Sequence, residues 1–228
     1  MDRRVSCRAI PRRNRHCFSM KILDFLAPRS CVFCGTLTAT DEKSICCGCF
    51  ADLPWNEVAI SSVPGLFERS IAMLHYAFPV DVAIKALKFS RKLFYAPALV
   101  EILCAARPLL PLDIDAVLAV PLHWRRKATR GFNQTTEIAS PLAKALGVPL
   151  VRNIRRNRAT PFQSGLDAAQ RARNLRCAFV SKRPESHTHV LIVDDVITTG
   201  ATVRALAKLL LSTGASKVSV LVVARAGV

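Results

Sequence analysis

The chain has 228 residues, and its 33 Lys and Arg against 16 Asp and Glu give a formal net charge of +17. This length allows one domain, or one domain with a small added module, and a hydrophobic content of 51% can build a sizeable core, which excludes wholesale disorder. No apolar run reaches the roughly 18 residues of a membrane span, and the basic first residues lack the apolar stretch of a secretory signal, so we expect a cytoplasmic protein.

The positive charge is concentrated in two segments. Residues 1–19 contain six Arg and one Asp, and residues 123–183 contain fourteen Lys and Arg against two acids. In the rest of the chain the charges balance. A segment as basic as 123–183 is typical of a protein that meets a polyanion, which can be nucleic acid, a phosphorylated metabolite or a membrane surface.

The basic leader over residues 1–19 shows no usable periodicity. We expect it to be disordered, or to be an upstream extension that is not native, because a far more protein-like sequence begins at Met20. A nucleic-acid-binding arm and an Arg-rich transit peptide are the alternatives.

Two CxxC pairs follow the leader, separated by eleven residues: Cys31 with Cys34, and Cys46 with Cys49. Each CxxC turn can place two thiolates on one cation, and two such turns complete a tetrahedral four-sulfur site, which is typical of structural Zn²⁺. The alternative is a set of four unrelated thiols in a reducing compartment. The spacing favours a zinc-ribbon-like module over residues 20–55.

The next elements are helical and then alternate with strands. Residues 56–110 are expected to form a linker and a hood-like helical region, with helices over 80–88 and 93–106. A small β region before Gly65 is the alternative to the linker. Beyond them, buried apolar runs alternate with helical segments, which favours βαβ units. The sequence therefore predicts an α/β fold with a doubly wound, mostly parallel sheet over residues 111–228. Its strands are expected over 116–120, 190–193 and 217–223, and its helices over 133–146 and 201–211.

The most informative stretch begins at the strand that ends at Val193. Two adjacent acids follow it, Asp194 and Asp195, and then a Thr/Gly loop opens a helix. Ligands of such sheets bind at the carboxyl ends of the strands. Hydroxyls and helix N-terminal N–H groups suit a phosphate, whereas paired carboxylates suit hydroxyls or a cation, so a sugar phosphate is indicated. The alternative is a solvated strand end before a capped helix. We call this loop the phosphate loop, and its residues are Thr198, Thr199, Gly200, Ala201 and Thr202.

This stretch resembles the motif that binds 5-phosphoribosyl 1-diphosphate (PRPP) in type I phosphoribosyltransferases. The resemblance implies that Asp194 and Asp195 contact the 2′- and 3′-hydroxyls of the ribose, and that residues 198–202 bind its 5′-phosphate. It also implies Mg²⁺ that bridges the diphosphate and the ribose hydroxyls. Ala201 stands where many members have a second Gly, and we expect this departure to have a mild effect.

Further motifs resemble the ComF/GntX family: Val120-Pro121-Leu122-His123 with the arginines after it, the stretch from Arg158 to Asn174, and the double CxxC before Leu53-Pro54-Trp55. The resemblance implies a diphosphate-binding loop that contains Pro121, Leu122, His123, Arg125, Arg126 and Arg130. It implies a mobile covering loop that contains Arg158, Gln163, Arg171 and Asn174. Many relatives carry more cysteine pairs after the Pro-Trp position, but residues 56–75 contain none, so we expect one zinc.

Two classes of function remain open. Members of the ComF family are linked to natural DNA uptake, and one reading is an enzyme that transfers phosphoribosyl from PRPP to an unknown acceptor. The other is a non-catalytic competence factor that keeps the PRPP-binding fold and binds single-stranded DNA or the competence machinery. The acid pair and phosphate loop favour the enzyme, and the basic segment favours nucleic acid. Proteins that bind single-stranded nucleic acid usually stack its bases on aromatic side chains, and the scarcity of such residues in the basic segment speaks against this role. The segment contains four: Trp124, Phe132, Phe162 and Phe179.

Overall fold

In a computed structural model of the chain, the described residues are 30–38, 44–56, 60–122, 131–157, 178–182 and 184–227. The predicted leader over residues 1–19 lies outside them. The chain divides into two compact units between Leu53 and Pro54. One unit carries the cysteine pairs, and the other carries the acid pair and the phosphate loop.

The described part of the N-terminal unit consists of turns and one short helix, α1 (Cys47–Ala51). Ser30 and Leu37 form an antiparallel bridge around the first CxxC turn. Gly35 closes that turn with a φ of +76°, a left-handed conformation that glycine adopts without strain. The buried apolar side chains of the described part are few: Cys31, Ile45 and Leu53. The described part of this unit therefore buries little apolar surface that could stabilise it.

The C-terminal unit alternates strands with helices. Its strands are β1 (Ile60–Val63), β2 (Phe67–His75), β3 (Ala116–Ala119), β4 (Ile154–Arg156), β5 (Phe179–Ser181), β6 (His189–Ile197) and β7 (Lys217–Arg225). Its helices are α2 (Val80–Phe89), α3 (Ala96–Cys104), α4 (Gln134–Leu146) and α5 (Ala201–Thr213). Two short 3₁₀ turns, Leu93–Tyr95 and Arg107–Leu109, flank α3.

Five of the strands form the main sheet, in the order β1-β2-β7-β6-β3. β1 pairs with β2 antiparallel, and the other three pairings of this sheet are parallel. β6 and β7 are buried along most of their length, as strands of a sheet covered on both faces are. The predicted α/β fold with a mostly parallel sheet is confirmed.

The predicted helices are confirmed, with small shifts in their ends. α2 buries Val80, Ala83, Ile84 and Leu87, which are the residues whose spacing predicts it. The second helix begins with a 3₁₀ turn, because a proline occupies the first turn of α3. Among the residues that the structure describes, no helix has the length and apolar content needed to cross a membrane.

Strand β2 is not predicted by the sequence, although it pairs with β7 inside the main sheet. The stretch expected to be a linker and a helical hood therefore also supplies a strand pair. Glu68 and Arg69 interrupt the apolar run and conceal its strand character. In the fold both charges find partners: Arg69 Nη1 donates to the carbonyl of Leu109 at 2.6 Å, and Glu68 lies 3.7 Å from Lys217 Nζ.

A polar network ties the strands together at the edge of the sheet where β6 and β7 begin. The buried His189 contacts Ser219 Oγ through Nε2 and Asp113 Oδ1 through Nδ1, both at 2.9 Å. Lys217 Nζ lies 2.7 Å from Asp113 Oδ2. Ser, His and Asp in this order match the arrangement of a hydrolase triad. Because Ser219 and His189 are fully buried, no substrate can reach them, and the network is structural.

Candidate functional site

The acid pair lies on β6 just beyond the point where the neighbouring strand β3 stops. β3 pairs with β6 as far as Ala119 opposite Val193. β6 then continues to Ile197 on β7 alone, so the predicted strand end at Val193 is too early. The strand is longer because β7 keeps pairing on one side. On the other side β3 no longer pairs with β6, and this is the carboxyl end of the strands, where parallel sheets bind ligands.

Asp195 is only 3% exposed, and both of its carboxylate oxygens have partners. Lys88 Nζ lies 2.7 Å from Oδ1, and Gln134 Nε2 donates to Oδ2 at 3.2 Å. A buried carboxylate needs such partners because it has lost its hydration. Lys88 comes from the last turn of α2 and Gln134 from the first turn of α4, so two helices hold this acid in place.

Asp194 is half-buried and is the more accessible of the two acids. Its Oδ1 accepts hydrogen bonds from the Asp195 N–H at 2.9 Å and from Thr135 Oγ1 at 3.4 Å. Burial, together with repulsion from Asp195, raises the pKa of Asp194 to about 7. A carboxyl with so perturbed a pKa is typical of a functional site, and its ionised form gains from a hydroxyl or a cation on the open side.

The phosphate loop turns from β6 into α5, in the predicted order of strand, loop and helix. Gly200 adopts a φ of +73° directly before α5 begins at Ala201. The Ala201 N–H donates a hydrogen bond to Thr199 Oγ1, with 3.4 Å between the nitrogen and the oxygen. Thr198 and Thr199 are exposed. The first turn of α5 contains no acid, so its N–H groups and the positive end of its dipole face an incoming anion without competition from a carboxylate.

Arg204 adds a cation to this loop that the sequence does not single out. Its Nε lies 3.8 Å from the position that a Cβ on Gly200 would occupy. The side chain is exposed, and the Arg204 N–H donates to the Gly200 carbonyl in the first turn of α5. The spacing of four residues from Gly200 is the signal that could have identified it.

The described residues on both sides of the predicted diphosphate loop lie beside the acid pair: the Val120 N–H donates to the Val193 carbonyl, and Gln134 and Thr135 contact the two acids. Pro121 and Leu122 follow β3 and are half-buried. At the far end, Asn133 Nδ2 donates to the Val120 carbonyl at 3.1 Å, and Asn133 Oδ1 accepts from the N–H of Thr135 and caps α4. The start of α4 is thereby fixed next to the end of β3. The predicted residues His123, Arg125, Arg126 and Arg130 lie outside the described residues.

The ends of the predicted covering loop are joined by the antiparallel pair β4 and β5. Ile154 pairs with Ser181, and Arg156 pairs with Phe179. The Arg156 guanidinium also lies 5.5 Å from the centroid of the Phe179 ring. The predicted loop residues, which lie between these strands in sequence, are outside the described residues: Arg158, Gln163, Arg171 and Asn174.

In the N-terminal unit the four paired cysteines lie together. Their Sγ atoms are all within 4.8 Å of one another, and those of Cys34 and Cys46 are 3.6 Å apart. Four sulfurs bound to one Zn²⁺ at about 2.3 Å would be separated by about 3.8 Å, whereas a disulfide requires about 2.05 Å. A hydrogen bond with the Thr36 side chain lowers the pKa of Cys34 to about 6, whereas burial and the hydrogen bonds with the other three sulfurs raise the pKa of Cys49. The cluster fits a metal such as zinc.

Three residues that hold the acids have no role assigned by the sequence: Lys88, Gln134 and Thr135. Gln134 and Thr135 could have been found, because they open the helix directly after the predicted diphosphate loop. Lys88 gives no such signal, since a lysine in the last turn of a helix usually lies in solvent near the negative end of the dipole. Its role depends on how α2 packs against the end of β6.

Comparison with known proteins adds the following similarities. Residues 129–228 match the family model described as "Phosphoribosyl transferase domain". The chain is 42% identical to the "DNA utilization protein YhgH" of Salmonella typhi over 164 residues, which cover 69% of this chain and 72% of that protein. It is 37% identical to the protein of the same name from Escherichia coli K12 over 201 residues, covering 83% and 87%. It is 33% identical to "Competence protein F" of Haemophilus influenzae over 172 residues, covering 70% and 74%. Among solved structures, an adenine phosphoribosyltransferase from Thermoanaerobacter pseudethanolicus has a TM-score of 0.35 at 23% identity, covering 61% and 72%.

Proposed function

Since this chain belongs to the ComF-like family of proteins with the phosphoribosyltransferase fold, we propose that its C-terminal unit binds PRPP together with Mg²⁺ and transfers the phosphoribosyl group to an acceptor. The activity would serve the uptake or use of DNA, in the cytoplasm. The observation that carries the proposal is the acid pair on β6 past the end of β3, followed after two residues by the phosphate loop.

The two ends of the ligand suit the two halves of the site. The ribose hydroxyls are donors, and the acid pair offers carboxylate oxygens to accept from them, with Asp194 on the accessible side. The 5′-phosphate suits the loop over residues 198–202, where N–H groups, hydroxyls and Arg204 can neutralise it. The diphosphate would lie towards the loop that starts at Pro121 and Leu122.

The reaction breaks the bond between C1 of the ribose and the diphosphate oxygen, and a lone pair of the acceptor forms the new bond to C1. The diphosphate leaves with the electron pair of the broken bond, and the acceptor loses its proton to solvent. When bound with the substrate, Mg²⁺ neutralises the leaving diphosphate. The chain contributes positioning: the acid pair holds the ribose, and the phosphate loop holds its other end.

A calorimetric titration of the full chain with PRPP tests the binding. We expect saturable binding that requires Mg²⁺, followed by diphosphate release once a suitable acceptor is supplied from a panel of amines, nucleobases and nucleic acids. The absence of PRPP binding with Mg²⁺ present would contradict the proposal. Binding without diphosphate release for any acceptor would limit the function to binding.

Lys88→Met should weaken PRPP binding about tenfold, a loss of about 1.4 kcal/mol. Without the ammonium at 2.7 Å, the buried Asp195 would lose its counter-charge and no longer hold the ligand-binding geometry. Lys88→Arg should restore most of the affinity. Lys85→Met is the matched control, because Lys85 lies one turn earlier on α2, is exposed and pairs with Asp81. An equal loss in the Lys85 variant, or no loss in the Lys88 variant, would disprove this role.

A nucleic-acid-binding role is the second candidate function. It is supported by the names of the relatives and by the net positive charge of residues 123–183. Binding of this kind depends on phosphate contacts and weakens steeply as salt is added. The partner we propose is single-stranded DNA, or the competence machinery that handles it.

For the N-terminal unit, we propose a single structural Zn²⁺ held by Cys31, Cys34, Cys46 and Cys49. Four thiolates leave no open coordination position, so the metal would hold the fold of this unit together and take no part in catalysis. The few buried apolar residues of the described part support this reading.

A further inference from the structure

Large apolar side chains are exposed along the helix that brings Lys88 to the acid pair. Phe78 is 79% exposed, Phe89 is 73% exposed and Phe94 is 55% exposed. Val82 and Leu93 are exposed between them. We call these five residues the aromatic face. Three exposed phenylalanines in one short segment form a patch of the kind that usually marks an interaction site.

Helix geometry places two of these side chains on one surface. Val82 and Phe89 are seven residues apart in α2, so they point to the same side, away from the buried stripe of that helix. Phe78 lies in the turn just before α2, where its peptide bond to Pro79 is cis and the N–H of Asp81 donates to the carbonyl of Ala77. After α2, the N–H of Lys92 donates to the carbonyl of Ala86, which folds the following 3₁₀ turn back towards the helix. Leu93 and Phe94 of that turn are exposed beside the end of α2 that carries Phe89.

Cations are interleaved with the rings. Residues 78–95 contain four basic side chains and one acid. Lys85, Arg91 and Lys92 are exposed, and Lys85 pairs with the one acid, Asp81. Single-stranded nucleic acid is bound in this way, by rings that stack on bases and by cations that meet phosphates. The core of a protein–protein interface is depleted of charge, so this alternation favours nucleic acid over a protein partner.

We propose that the aromatic face is a docking surface for single-stranded nucleic acid. The inference rests on the nucleic-acid-binding role proposed above and gives that role a location. The rings lie outside the basic segment over residues 123–183, whose few aromatic residues argue against stacking there. The helix that presents this face also carries Lys88, which contacts Asp195.

The test uses the full chain and fluorescence anisotropy with a labelled oligothymidylate. The triple variant Phe78→Ser, Phe89→Ser, Phe94→Ser should bind it at least about tenfold more weakly, because the rings that stack on the bases are removed. The salt dependence should stay the same, because no cation is removed. Leu112→Ser is the matched control: Leu112 is fully exposed but lies just before the start of β3, at the opposite end of the strands from the acid pair, and its loss should change nothing. Thermal melting confirms that the variants are folded.

The outcomes distinguish failure of the proposed docking surface from failure of the proposed nucleic-acid-binding function. If the unaltered chain binds the oligonucleotide and the triple variant binds it equally well, the aromatic face is not the docking surface, although the nucleic-acid function stands; the face would then suit a protein partner. If the unaltered chain does not bind the oligonucleotide at low salt, both the docking surface and the nucleic-acid-binding function are wrong. An equal loss in the Leu112 variant, or an equal loss of duplex binding in the triple variant, would also overturn stacking on these rings.

Discussion

Asp194→Asn should weaken PRPP binding about a hundredfold while the protein stays folded. The substitution removes a hydrogen bond between a charged acceptor and a ribose hydroxyl, which is worth about 1.5–3 kcal/mol. Calorimetry in the presence of Mg²⁺ measures the loss. Unchanged PRPP affinity would show that this carboxyl does not meet the ribose.

The same variant should melt at an equal or higher temperature than the unaltered chain at pH 8. The pKa of Asp194 is raised from 3.8 to about 7 in the fold, so the folded state holds its proton more tightly than the unfolded state. Stability from this group is therefore lost as pH rises from about 4 to about 7, and asparagine removes that dependence. Melting curves at pH 5 and pH 8 measure the difference, which should be smaller in the variant.

Asp195→Asn is the informative comparison. It should also lose PRPP binding, but it should melt at a lower temperature, because the half-buried Lys88 ammonium is left without its carboxylate. If both variants melt alike, the two acids do not differ in the way that their contacts indicate.

Removal of the proposed zinc should unfold the N-terminal unit. Structural zinc contributes about 10–16 kcal/mol in small zinc domains, far more than the few buried apolar residues in the described part of this unit can replace. The purified chain should contain one Zn²⁺, and a strong chelator or Cys34→Ser should expose residues 30–53 to proteolysis. Elemental analysis and limited proteolysis are the measurements.

Cys47→Ser provides the control for the zinc experiment. Cys47 is exposed between two of the clustered cysteines in sequence but does not belong to the cluster. Its loss should leave both metal content and protease resistance unchanged. A metal-free protein whose N-terminal unit resists proteolysis would contradict the zinc assignment, as would an equal effect of the Cys47 variant.

Local patterns predict much of this fold. The spacing of Val80, Ala83, Ile84 and Leu87 predicts α2, because a helix packed on a sheet buries one stripe. The order of strand, acids, loop and helix around Gly200 predicts the turn into α5. In both cases the residues that determine the conformation are neighbours in sequence.

What the sequence does not predict depends on long-range packing. β2 contains two charged residues, Glu68 and Arg69. Their partners in the sheet, Lys217 and the carbonyl of Leu109, come from distant parts of the chain. Lys88 and Asp195 lie far apart in sequence, and no local pattern indicates that they meet. The position of the acids past the end of β3 likewise follows from β7, which continues pairing after β3 has stopped.

The hydrogen bond from Asn133 to the Val120 carbonyl has a consequence for how this family can diversify. It brings the two ends of the intervening sequence to one point, so β3 and α4 keep their positions whatever number of residues lies between them. Insertions or exchanges between residues 122 and 131 would then leave the register of the sheet undisturbed. Relatives could vary this segment without rebuilding the scaffold that holds the acids.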